Sequence, residues 1–110
     1  MSANTYQQLI QDIIKNHADK HPQDDSIETQ FVCDTQNHHY LLLYVGWEGE
    51  KQVYGCPIHV DIKDHKFWIQ RDFTEEGIAS QLLKAGVSKD KIVLGFRSPF
   101  NRQFTEFAVG

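Results

Sequence analysis

Clustered positive charge is the first thing this sequence lacks. Lys and Arg number 11 against 15 Asp and Glu, a net charge of -4 over 110 residues, and the basic residues are scattered along the chain. Phosphate binding draws on grouped cations, so the composition argues against an independent nucleic-acid binder. Long apolar runs are missing too. No window approaches the roughly 18 apolar residues of a membrane-spanning helix, and the N-terminus has no basic stretch leading into an apolar one, so the chain is expected in the cytoplasm. Cysteine occurs twice, as Cys33 and Cys56, in separate strand-like runs without metal or redox spacing. Both are expected to be buried, reduced and inert. Glycines stand singly at turn, bulge and cap positions, which rules out a phosphate-cradling loop. The serines lie at turns, and no Ser-His-Asp or Cys-His arrangement can be assembled.

What is present is a well-patterned core. Apolar residues make up 40% of the chain, with seven Phe and two Trp, enough for one modest domain over 1–110. Tyr6, Leu9, Ile10, Ile13, Ile14 and His17 recur at helical spacing, predicting an amphipathic helix over about 5–19, capped by Asn4 or Thr5. A polar loop over His21–Ser26 follows. Ile27–Thr35 alternates, with Ile27, Phe31 and Cys33 on one side. Residues 39–47 read as a second strand, Glu48-Gly49-Glu50 as a hairpin, 51–62 as a third strand and 66–71 as a fourth. Connections this short force antiparallel pairing, so the middle of the chain is a four-stranded meander. Pro57 cannot donate to a ladder, which places a bulge or an unpaired edge in the third strand. A second helix is expected from about Thr74 to Gly86, then a short strand at 92–96 and an aromatic tail. The fold class is α+β, two-layered.

The second strand is apolar on both sides, and Trp68 points opposite to Phe67 and Ile69 in the fourth. Two short helices cover one sheet face, so the other needs a cover: the C-terminal tail or a second chain. The expected self-association surface comprises Tyr40, Leu42, Tyr44 and Trp68, joined by Phe100, Phe104 and Phe107 of the tail, in a homo-oligomer whose simplest form is a two-fold dimer. A polar cluster of His59, Asp61, Asp72 and Glu75, with His65 and Glu76 nearby, contains metal-ligating types, but no spacing fixes three or four ligands. Asp61-Ile62-Lys63 matches the acidic-x-lysine strand of metal-dependent nucleases over only three residues. His17, His21 and His38-His39 are expected in water. Residues alone thus give no catalytic, cofactor or metal assignment.

Several separated blocks carry a family resemblance: Val45-Gly46-Trp47, Val53-Tyr54-Gly55-Cys56-Pro57-Ile58-His59-Val60-Asp61-Ile62-Lys63, Lys66-Phe67-Trp68-Ile69-Gln70-Arg71-Asp72, Asp90-Lys91-Ile92-Val93-Leu94-Gly95-Phe96 and Arg102-Gln103-Phe104-Thr105-Glu106-Phe107-Ala108. In this order they resemble the cyanobacterial excision controlling factor XisI. Phe73 stands where that pattern commonly has glycine, and Arg97 where it commonly has histidine. The resemblance implies a non-enzymatic accessory factor that controls programmed excision of a DNA element together with an XisH-like companion and a site-specific recombinase. Two alternatives stay open: an antitoxin-like partner of a nuclease-like companion, and a small metal-dependent hydrolase or nuclease using His59 and Asp61.

Overall fold

A computed structural model describes residues 3–20 and 25–110. Helix α1 (Ala3–Lys20) leads into strands β1 (Ile27–Asp34), β2 (His39–Glu48), β3 (Lys51–Lys63) and β4 (Lys66–Asp72), then helix α2 (Ile78–Lys84), strand β5 (Ile92–Leu94) and a single-turn helix α3 (Pro99–Arg102). The expected α+β class and four-stranded meander are both found. The loop expected at His21–Ser26 lies largely outside the described residues. Helix α1 begins at Ala3, so Asn4 and Thr5 stand within its first turn.

The five strands form one sheet in the order β1-β2-β3-β4-β5. The first three pairings are antiparallel, and β5 joins β4 in parallel through the α2 crossover. The turns obey local chemistry. Gly49 supplies φ 64° between β2 and β3, while His38, Asp64 and His65 adopt positive φ in the two other hairpins. The pairing of β2 with β3 slips between Leu42 and Tyr44, opposite Cys56-Pro57, which is the bulge that proline demands.

One face of the sheet is closed by both helices. Tyr6, Ile10 and Ile14 of α1 and Ile78 and Leu82 of α2 share a core with Tyr40, Leu42, Ile58, Val60, Phe67 and Ile69. The Tyr6 and Phe67 rings stack at 4.5 Å. The opposite face is divided. Its β4–β5 end lies under the C-terminal segment, where the Arg102 guanidinium sits 5.3 Å from the Trp68 ring centroid and Val93 is fully buried. Ala108 bridges Val93, donating its N–H to the Ile92 carbonyl at 2.9 Å, so the β5 edge is covered. At the other end β1 is an edge strand, hydrogen-bonded to β2 on one side only.

Two expectations about faces change. Tyr40 and Leu42 are fully buried within one chain because α1 lies over them, and Tyr44, on the same face, is half-buried. They do not form one surface with Trp68, which stands on the opposite face and is covered by the chain's own tail. In that tail Phe107 is half-buried against the core, whereas Phe100 and Phe104 are exposed and meet edge to face at 5.3 Å. Cys33 is exposed, because β1 is the outermost strand, and Cys56 is half-buried. Desolvation, foremost, raises both thiol pKa values, with the Asp34 charge adding to the effect at Cys33. No helix among the described residues is long and apolar enough to cross a membrane.

Candidate functional site

The polar cluster read from the sequence separates into two places and gains a member. Asp72 pairs with Ile58 and so belongs to the helix-covered face. Its carboxylate accepts from the Thr74 N–H at 2.9 Å, the Thr74 hydroxyl at 2.6 Å and the Ile78 N–H at 2.7 Å. Thr74 in turn accepts from the Gly77 N–H at 3.0 Å. This network starts α2 at Ile78 instead of Thr74, because Asp72 reaches across six residues to satisfy the first helical donor. The helix ends in a Schellman pair, Gly86 N–H to Leu83 and Val87 N–H to Leu82, with φ 98° at Gly86. Asp72→Ala is expected to cost about 1–2 kcal/mol, the usual penalty for a lost N-cap, and to lower the melting temperature by several degrees. Circular dichroism melting checks it, and an unchanged midpoint would show that Asp72 is no cap. Glu75 is exposed and lines a cleft of about 530 Å³ with His17, Lys20, Phe73 and Gln81, away from Asp61.

Asp61 is the centre of the other group. It lies on the partly open face, 6% exposed, the one buried charged residue among those described. His39 of β2 is directly opposite, and its Nδ1 is 2.7 Å from Asp61 Oδ1. His59, two residues before Asp61 on β3 and therefore on the same side, brings Nε2 to 2.9 Å from that same oxygen. The Gln70 amide donates to Oδ2 at 3.3 Å. Burial alone would push the Asp61 carboxyl pKa up. The two imidazole contacts, the charge of His59 and the Gln70 amide together outweigh it, holding the group below the usual carboxylate range.

The bulge creates this meeting. In an unbroken hairpin closed by Glu48 and Lys51, His39 would face Val60, and the extra residue at Cys56-Pro57 brings Asp61 there instead. His39 is thus the member that strand pattern misses, although the hairpin register together with Pro57 signals it. Trp68, paired with Asp61 on this face, lies beneath the Lys63 ammonium at 4.8 Å, so the lysine of the Asp61-Ile62-Lys63 run rests on an aromatic ring.

Beyond the cluster, toward the hairpin tip, the face is apolar. Leu41, Leu43 and Val45 are half-buried in a row along β2, and Trp47, Tyr54 and Val32 are exposed at 55%, 69% and 38%. This is the uncovered part of the sheet, made from residues alternate to those first assigned to it.

A helix packed across one face of a five-stranded sheet, with the tail folded over one end of the other, is an arrangement shared with solved relatives. The model of the XisI protein family matches residues 1–109, and the chain belongs to that family. It is similar to a XisI-like protein from Anabaena variabilis ATCC 29413, with 38% identity over 99% of this chain and 100% of that one and a TM-score of 0.95. It is also similar to the fdxN element excision controlling factor XisI from the same organism, at 35% identity over 98% of each chain with a TM-score of 0.88. A search among curated proteins finds no match.

Proposed function

We propose that the protein is a non-catalytic accessory factor that controls excision of a DNA element through protein partners, an XisH-like companion and a site-specific recombinase. The observation that carries this reading is the uncovered apolar sheet face at Leu41, Leu43, Val45, Trp47 and Tyr54. Exposed aromatic residues beside a half-buried aliphatic row are the composition of a protein-binding patch. The net charge of -4 and scattered basic residues favour protein over DNA as the direct partner.

Coexpression with an XisH-like protein tests the reading. The two proteins are expected to copurify as a stable complex, and the double variant Trp47→Glu/Tyr54→Glu, altered only at exposed positions, is expected to lose the companion while keeping its own melting temperature. A sequence-specific complex between the isolated chain and DNA in a mobility-shift titration at moderate salt, or retention of the companion by the double variant, would overturn it.

A further inference from the structure

We infer that His39, His59 and Asp61 form a binding site for a divalent transition-metal ion of the zinc type. Two imidazole nitrogens, on adjacent strands, converge on one carboxylate oxygen, and the three candidate ligand atoms all lie within 4.8 Å of one another. Two histidines and one carboxylate are the ligand set of many zinc and iron centres, and imidazole donors select such ions over Mg²⁺ or Ca²⁺, which take oxygen ligands. Zinc bonds of about 2.0–2.1 Å to nitrogen and oxygen place tetrahedral ligand atoms about 3.3–3.4 Å apart. The present 2.7 and 2.9 Å contacts therefore need to open by about half an ångström, while the two imidazole nitrogens, up to 4.8 Å apart, need to close by up to about 1.4 Å, movements that side-chain torsions supply.

The supports are of the kind that ordered metal sites have. All three residues stand on paired strands in the middle of a sheet, which fixes their backbones. Gln70 holds the outer oxygen of Asp61, leaving Oδ1 as the ligand. The two rings are 78° apart with centroids separated by 6.4 Å, so both can reach one ion without stacking. The His39 side chain is half exposed and that of His59 one-third exposed, which leaves the outer coordination positions to water. When the ion enters, each imidazole coordinates in its neutral form through the nitrogen now facing Asp61 and keeps one proton on the other ring nitrogen, any second proton passing to solvent, so binding needs no redox partner.

The site adds to the accessory-factor reading and does not depend on it, because its test involves neither companion nor DNA. Tag-free full-length protein is titrated with ZnCl₂ in a calorimeter at pH 7.5, and with Co²⁺ in a spectrophotometer. One Zn²⁺ per chain is expected, together with a Co²⁺ absorption band in the visible. His39→Ala, His59→Ala and Asp61→Asn are each expected to weaken Zn²⁺ binding at least tenfold. His65→Asn, at an exposed turn position with φ 60° that asparagine tolerates, is expected to bind as the parent does. Circular dichroism confirms that each variant is folded. Absence of binding at 100 µM free Zn²⁺, or equal weakening by His65→Asn, would overturn the assignment and leave the histidines as partners that satisfy a buried carboxylate.

Discussion

Leu42→Glu is expected to leave the chain largely unfolded at room temperature. Leu42 is fully buried in the middle of β2, beneath α1 and beside Ile58. Removing its side chain forfeits about 2–5 kcal/mol in transfer and cavity terms. The substituting carboxylate must then either ionise in an apolar core or fold protonated with its hydrogen-bonding groups unpaired, costing several kcal/mol more. A domain of this size is stable by about 5–15 kcal/mol in total, so the combined loss takes most or all of it. Chemical denaturation followed by circular dichroism and tryptophan fluorescence checks this. A cooperative transition with a near-parent midpoint would show that α1 does not cover this face. A folded Leu42→Glu monomer replacing a parent dimer would restore Leu42 to the subunit interface.

Gly46→Val is expected to rank second in effect, with a melting temperature lower by on the order of 10 °C. Gly46 pairs with Ile27 where β1 begins, and the Trp47 N–H bonds the Ser26 carbonyl at 3.0 Å just beyond. A Cβ at position 46 would overlap the Ser26 carbonyl oxygen and approach Ile27 Cα to 2.7 Å. Those atoms are backbone and cannot rotate away, so the start of β1 must separate from β2. Overpacking of this sort typically costs about 1–3 kcal/mol, and each kcal/mol moves the midpoint of a small domain by about 4–8 °C. Amide exchange should quicken at the β1 end of the sheet while β3 and β4 stay protected. An unchanged melting temperature, or uniform loss of protection, would show that the close approach at Gly46 is not what constrains β1.

Much of this architecture is legible because its signals are local. The hairpin at Gly49, the turns at His38 and Asp64, the stop at Gly86 and the bulge at Pro57 each follow from one or two residues whose backbone preferences leave little choice. What escapes the sequence depends on distance. Alternation says that Tyr40 and Leu41 point to opposite faces, but it does not say which face α1 will cover, so the open surface can be assigned to the wrong set. The start of α2 is set by Asp72, six residues before the N–H it caps, and that reach exceeds the span of any local capping pattern. His39 reads as one of two solvated histidines until the hairpin register is counted through the bulge, after which Asp61 falls opposite it. Cys33 shows the same limit: strand alternation gives its direction, while its exposure follows from the position of β1 at the sheet border.

The unequal borders of the sheet bear on how copies of this chain could stack. A sheet with two bare edges can add strands without end and grow into a filament. Here β5 is bridged by Ala108 and its three residues offer little ladder, whereas β1 offers eight. Edge-to-edge joining can therefore use only the β1 border, and two copies meeting there about a two-fold axis consume both available borders at once. Growth by edge pairing would then stop at two copies, in a ten-stranded sheet whose outer margins the two tails would cover.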